Sequence, residues 1–154
     1  MNTRCLGALA AVIGLLSQAP ADAATYRVDD SGTIPFESSA TLRWRQVAPS
    51  RGGDNAVEGS TTVQVRLNLA PWLKRTGRLF LVLPEQPSGQ VAVRWTTQGR
   101  LLAGQLVSGQ RALVYAGPIT TPLVDETLVL RIETDGTRLG STQRLNFHFE
   151  IDVD

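Results

Sequence analysis

Residues 145–153 read LNFHFEIDV, and every second side chain in this stretch is apolar. The side chains between them are polar or charged, so the two sets fall on opposite faces of an extended strand. Residues 62–69, TVQVRLNL, repeat the pattern with valine and leucine on one face. One apolar and one wet face are typical of antiparallel sheets that cover a core on one side. These two stretches therefore predict an all-β fold.

The same alternation recurs in shorter form at residues 42–45, 91–96 and 128–133. Residues 79–83 and 112–116 are apolar at successive positions, which favours central strands covered on both sides. Asp135-Gly136 is a typical signal for a type I′ hairpin turn. About seven to eight short strands with frequent turns predict an antiparallel β-sandwich, with an immunoglobulin-like sandwich as the first choice. No long helix is expected, although residues 72–76 can form one helical turn.

The first 23 residues have the pattern of a secretory signal peptide. Arg4 supplies the positive charge ahead of an apolar run at residues 6–16, which is too short to span a bilayer. Ala21-Asp22-Ala23 provides the small-x-small cleavage pattern. We therefore expect cleavage after Ala23 and one domain over residues 24–154, located in the periplasm or outside the cell. The alternative is an uncleaved N-terminal anchor, and no later stretch predicts a transmembrane segment.

Composition narrows the functional classes. The hydrophobic fraction of 42% and the charged fraction of 19% are those of an ordinary globular domain. A formal net charge of +1 argues against a nucleic-acid partner, because such domains usually carry a strong basic excess. Cys5 is the only cysteine and precedes the apolar run. The mature chain would therefore have no disulfide and no thiolate metal site.

No residue pattern predicts catalysis. His148 is the only histidine, and the alternation places it on the same polar face as Glu150 and Asp152. A single histidine without cysteine makes a poor transition-metal site, so an exposed strand histidine is the simpler interpretation. Acidic stretches at 29–30 and 53–58 lack the spacing of a calcium loop, and no nucleotide-binding glycine pattern occurs. We expect no catalytic residue, metal or cofactor.

A small basic cluster follows Trp72 in the sequence. Lys74, Arg75 and Arg78 beside an aromatic ring are suited to a phosphate, an acidic glycan or a lipid headgroup. The simpler interpretation is a solvated loop whose charges keep a tight turn soluble. The candidate interaction surface predicted from the sequence consists of Trp72, Lys74, Arg75, Arg78 and His148.

Arginines dominate the wet faces of the predicted strands. Like charges directly opposite one another destabilise a sheet, so Glu133, Glu150 and Asp152 are expected to interleave with them. Charge on exposed faces and edges protects against aggregation, and a recognition surface is the alternative interpretation. The arginines concerned are Arg43, Arg45, Arg66, Arg94, Arg131 and Arg144.

In outline the chain resembles small immunoglobulin-like exported modules of bacterial periplasmic and pilus-associated proteins. The resemblance lies in the leader, the alternating strands and the lack of a long helix, and no motif assigns a family. Fimbrial subunits of the chaperone–usher type carry an alternating donor segment at the mature N-terminus. Residues 25–36 depart from that pattern at Asp29, Asp30, Gly32 and Pro35, which predicts a poor donor strand.

These observations favour a non-catalytic module of the bacterial envelope. Its expected partner is another envelope protein, or a second copy that pairs through edge strands. The stretch at 145–153 either completes its own domain or exchanges with another chain. The alternative functions are a small periplasmic hydrolase with paired carboxylates and an outer-membrane β-barrel.

Overall fold

The computed structural model describes residues 24–37, 39–46, 51–140 and 144–153. Within these ranges the chain forms ten strands in two antiparallel sheets that enclose a hydrophobic core. The predicted all-β, two-layer architecture is therefore confirmed. In chain order the strands are β1 (Ala24–Arg27), β2 (Ile34–Pro35), β3 (Arg43–Trp44), β4 (Ala56–Asn68), β5 (Thr76–Leu83), β6 (Val91–Thr97), β7 (Gly104–Val107), β8 (Gln110–Pro118), β9 (Leu123–Asp135) and β10 (His148–Val153).

The two sheets differ in size. Sheet A has the order β1-β10-β5-β8, and sheet B has the order β2-β4-β9-β6-β7 with β3 also paired to β4. The longest pairing joins β4 to β9 in unbroken register along all 13 residues of each strand. β10 lies between β1 and β5. The last strand therefore completes its own domain from a central position.

The core consists of the inward-facing members of each alternating stretch. In β10 these are Phe149, Ile151 and Val153, and none is more than 3% exposed. Trp95 in β6 is the largest of the fully buried side chains, and its indole N–H donates to the Leu102 carbonyl at 2.9 Å. Because the indole donor is satisfied, the whole ring is buried without an unpaired polar group.

Both lateral sides of the sandwich are closed by segments that change sheet. On one side, residues 24–28 bond to β10, and Asp29 then pairs with Asn68 of β4. On the other side, β7 of sheet B leads through a turn at Gly109, which has φ 86°, into β8 of sheet A. The two sheets are thus connected along both flanks, and the core is sealed from solvent there.

The structure has more strands than the sequence predicts. The additional ones are β1 and β2, which lie in stretches without alternation and pair with β10 and β4. β3 forms inside the alternating stretch predicted at residues 42–45, although it is only two residues long. β2 and β3 become strands because the unpaired backbone groups of β4 are available beside them.

The hairpin predicted at Asp135-Gly136 is wrong. β9 ends at Asp135, and the chain makes a 3-10 turn at Gly136–Arg138 before it crosses to sheet A. The Asp135 carboxylate accepts the Thr137 N–H at 2.9 Å and so caps this turn. Gly136 is required for space, since a Cβ there would lie 2.5 Å from the Trp44 ring. Asp135 therefore caps the 3-10 turn, and Gly136 allows the Trp44 ring to approach the backbone.

The central position predicted for residues 112–116 is also wrong, because β8 is an edge strand of sheet A. Its register with β5 shifts, so that Tyr115 faces Leu79 while Leu113 faces Phe80. The extra residue, Val114, is fully buried beside Tyr115 in the core. A β-bulge thus places two successive side chains inward, which explains a run that is apolar at successive positions. Residues 79–83, in β5, do occupy the predicted central position.

The predicted helical turn forms slightly earlier, as a 3-10 turn at Ala70–Trp72. In the part of the chain that the structure describes, no helix is long and apolar enough to cross a membrane. The proposed leader and its cleavage after Ala23 lie outside the described residues and stay predictions.

Candidate functional site

The outer face of sheet A carries a band of charged side chains on its central strand. His148, Glu150 and Asp152 of β10 point away from the core, as the alternation predicts. The register places Thr25 of β1 and Arg78 of β5 on either side of Asp152. All of these groups project from paired strands, so their spacing is set by the backbone.

Arg111 of β8 joins this band from the edge of the sheet. Its guanidinium carbon lies 4.2 Å from the centre of the Phe80 ring, a cation–π contact. Beyond the ring, Nη1 and Nη2 each reach one oxygen of Asp152 at 3.2 Å, and Nη1 lies 3.6 Å from Glu150. The side chain thus covers Phe80 and ties three strands together. This cover explains why β5 tolerates an apolar residue on its outer face.

Asp152 is the most enclosed charge of the band, with 6% of its side chain exposed. Partial burial acts to raise the pKa of this carboxyl. The Thr25 hydroxyl, which donates to Oδ1 at 2.6 Å, and the Arg111 guanidinium outweigh that effect and hold the pKa below its ordinary value. Asp152 therefore remains an anion that organises its neighbours.

His148 lies at the other end of the band. Its Nε2 is 3.2 Å from Oε1 of Glu150, and 18% of its side chain is exposed. On the β5 side it faces Val82. The histidine is thus a half-buried neighbour of Glu150 on a flat sheet.

The structure divides the predicted interaction surface. Arg78 and His148 share the outer face of sheet A, although they face opposite ends of the band. Trp72 is 9% exposed and belongs to the core, where its ring stacks at a tilt on Tyr26 with 6.1 Å between centroids. The indole is therefore directed inward, away from the exposed loop that carries Lys74 and Arg75.

Lys74 has a strained backbone, with φ 66°. Its N–H donates to the Ile119 carbonyl at 2.9 Å, and the Ile119 N–H donates to Arg75 at 2.8 Å. These bonds lock the loop in a left-handed conformation that a glycine adopts more readily than a lysine. Non-glycine residues in such strained conformations are often found at binding sites, which makes the Lys74 side chain a candidate for binding.

We expect Lys74→Gly to be more stable than Lys74→Ala by about 1 kcal/mol, because only the alanine retains the Cβ that opposes positive φ. Both variants remove the ammonium group, so their difference isolates the conformational strain. Chemical denaturation of the two variants measures it. Equal denaturation midpoints and equal slopes for the two variants would show that the backbone at Lys74 is not strained.

The outer face of sheet B shows the expected interleaving of charges. Arg45 lies 2.5 Å from Glu133 and 3.4 Å from Asp54, while Arg131 lies 3.0 Å from Glu58. The register sets Arg94 directly opposite Arg131, so Glu58 relieves a like-charge pair. At the other end of the sheet, Arg66 lies 2.7 Å from Asp125 and completes the pattern of paired charges.

A shallow open groove of about 600 Å³ runs beside these pairs, and three carboxylates line it. Each is bound to an arginine: Asp54 and Glu133 to Arg45, and Asp135 to Arg138 at 3.7 Å. The Thr137 hydroxyl and backbone N–H lower the pKa of Asp135.

Among the residues that the structure describes, no group of three or more histidine, cysteine or acidic side chains is placed to hold a metal ion. No protein-family model matches the chain. A search of curated proteins likewise finds no significant match.

Sequence reasoning missed Arg111, which is the residue that organises the charged band. Arg111 shares the outward face of Leu113, but that face is not evident from the sequence, because residues 112–116 are apolar at successive positions. What no local pattern shows is the reach of its side chain across β5 to β10.

Proposed function

We propose that the chain is an exported, immunoglobulin-like module of the bacterial envelope that binds a partner by surface contact and does no catalysis. The observation that carries the proposal is the outer face of sheet A. There, charges of both signs are held at fixed spacing on paired strands, around the Arg111–Asp152 ion pair. Such a patterned, rigid face is suited to a protein partner of complementary charge.

Two further features support a binding role. The carboxylates most suited to acid–base chemistry are engaged by arginines or hydrogen bonds, so they act as structural acceptors. The strained Lys74 keeps a cation on the exposed loop that leads into β5, at a position where glycine costs less. Export by the predicted leader would place this surface in the periplasm or on the cell exterior.

The test begins with the native complex. We expect the chain to fractionate with the envelope, to have the mass of a protein that starts at Ala24, and to migrate in a larger native assembly. Lys74→Glu should shift it towards the free form, because the substitution reverses an exposed charge on the loop that leads into β5 of the binding face. Arg94→Glu is the matched control, since Arg94 is also exposed but lies on the opposite sheet. His148→Ala, at the far end of the band from Arg78, should leave most of the assembly intact.

Two results contradict the proposal. One is a chain that stays in the cytoplasm with its leader uncleaved. The other is loss of all function in His148→Ala with the fold intact, which would indicate catalysis by the single histidine.

A further inference from the structure

Residues 24–36, here called the arm, bind the rest of the domain mainly through the backbone. The arm pairs with β10 from Ala24↔Val153 to Arg27↔Glu150. It then crosses to β4, where Ile34 pairs with Gln64 and the Phe36 N–H donates to the Thr62 carbonyl at 2.9 Å. Two edges of the body, one in each sheet, thus form a continuous binding site for an extended segment.

Few side chains hold the arm in this site. Within it, Val28 is the one residue in the buried class, at 1% exposed. Tyr26 contacts Trp72 while remaining 46% exposed, and the Thr25 hydroxyl bonds to Asp152. A segment held by one buried side chain and by backbone hydrogen bonds to a sheet edge detaches more easily than the core strands.

The partner strand of the arm comes from the far end of the chain. Thr25 and Asp152 are 127 residues apart in sequence. In the exported protein of the proposed function, the arm leaves the membrane first and β10 leaves last. During that interval the arm has no partner from its own chain, because long-range pairing must await the intervening sequence.

We propose that the arm exchanges between copies, so that residues 24–36 of one chain occupy the β10 and β4 edges of a second chain. The contacts are the same in the closed and exchanged forms, since both chains have the same sequence. The protein concentration therefore decides between the two forms. Exchange competes with closure by the chain's own arm, whose effective concentration is on the order of millimolar. The inference rests on the proposed function, which it deepens by naming a second copy as a partner.

The interrupted pattern of the arm fits this role. A donor strand that fills one sheet alternates throughout, whereas the arm serves two sheets in succession. Asp29 bonds to Asn68 at the crossing, and Gly32 packs against the Arg66 side chain, where a Cβ would lie 2.8 Å away. Asp29, Asp30 and Gly32 therefore lie where the arm leaves one sheet for the other, whereas Pro35 lies in β2 on the edge of β4.

Arg27 and Glu150 offer a covalent probe of the exchange. The Val28 N–H donates to Phe149, so in an antiparallel ladder the adjacent Arg27–Glu150 pair is a non-hydrogen-bonded pair. Cα atoms of such pairs lie about 4.5 Å apart, within the range that a disulfide spans. A Cys5→Ser background removes the only other thiol.

The experiment mixes Arg27→Cys and Glu150→Cys chains of different tag length, unfolds them together, refolds them and oxidises them. A disulfide between the two chains forms efficiently where the arm of one lies on β10 of the other, and chance collision of exposed thiols sets the background. We expect a mixed dimer severalfold above the control, with a yield that rises with protein concentration. The control mixes Arg27→Cys with Gln105→Cys, whose thiol is exposed on sheet B at the opposite flank.

The double variant Arg27→Cys/Glu150→Cys reports whether the arm keeps its register. If it oxidises fully within single chains while the mixed dimer stays at the control level, the arm is closed and exchange is rejected. If it does not oxidise, the arm does not lie on β10, and exchange is also rejected. Neither result affects binding through the face of sheet A, so the two proposals fail independently.

Discussion

Trp95→Ala is expected to lower the free energy of unfolding by about 4 kcal/mol, in the range found for large aromatic side chains truncated in a core. The side chain is 1% exposed, and Gly104 packs on its ring at a distance where a Cβ would lie 2.8 Å from the indole. Such close packing leaves little room for the surroundings to collapse into the cavity. Urea denaturation with an unchanged slope measures the loss.

Trp95→Phe is the matched control. It retains most of the buried ring but removes the donor that the Leu102 carbonyl accepts at 2.9 Å. We expect its free energy of unfolding to lie between those of the wild type and the alanine variant. The phenylalanine buries less apolar area than tryptophan and makes one hydrogen bond fewer. An alanine variant as stable as the wild type would place Trp95 outside the core and contradict the fold.

Asp152→Asn is the second change with a large expected effect, a loss of about 2 kcal/mol at neutral pH, because hydrogen bonds to a charged group are worth about that much. The amide keeps the size of the side chain but cannot bind Arg111 as an anion. Asp125→Asn is the control, since Asp125 also pairs with an arginine but 33% of its side chain is exposed, against 6% for Asp152. Solvent screens the exposed pair, so the control should lose less.

The same residue predicts a pH dependence. The pKa of Asp152 is lowered in the folded chain, so its carboxylate stabilises the fold above the ordinary aspartate value near 4. This contribution is lost as the pH falls through the lowered folded value. Thermal unfolding of wild type and Asp152→Asn should therefore converge as the solution is acidified. A difference that stays constant into strong acid would show that the ion pair is not its source.

The inward faces of the strands were predictable because alternation is a local property. Val65 and Leu67, and likewise Phe149, Ile151 and Val153, point inward as their spacing indicates. The charged outer face of β10 follows from the same rule. The same rule does not predict which side chains contact that face, because Thr25 and Arg111 reach Asp152 from strands distant in sequence.

The wrong predictions share a cause. Asp135-Gly136 has the residues of a tight hairpin, yet Gly136 is required where the Trp44 ring approaches the backbone. The run at 112–116 is apolar because a bulge at Val114 adds an inward side chain at an edge. Trp72 precedes a basic loop in sequence, but its ring packs in the core, away from that loop. In each case a distant segment decides the role of a local motif.

By itself, the sequence determined that this protein is built from strands with one apolar and one polar face. That conclusion needs only the two-residue period of an extended chain, which neighbouring residues establish. Only the tertiary structure decided that β10 is central, that the arm joins both sheets and that Arg111 ties β8 to β10. Those features depend on strand order, and strand order is settled by the collective burial of side chains from segments far apart in the chain.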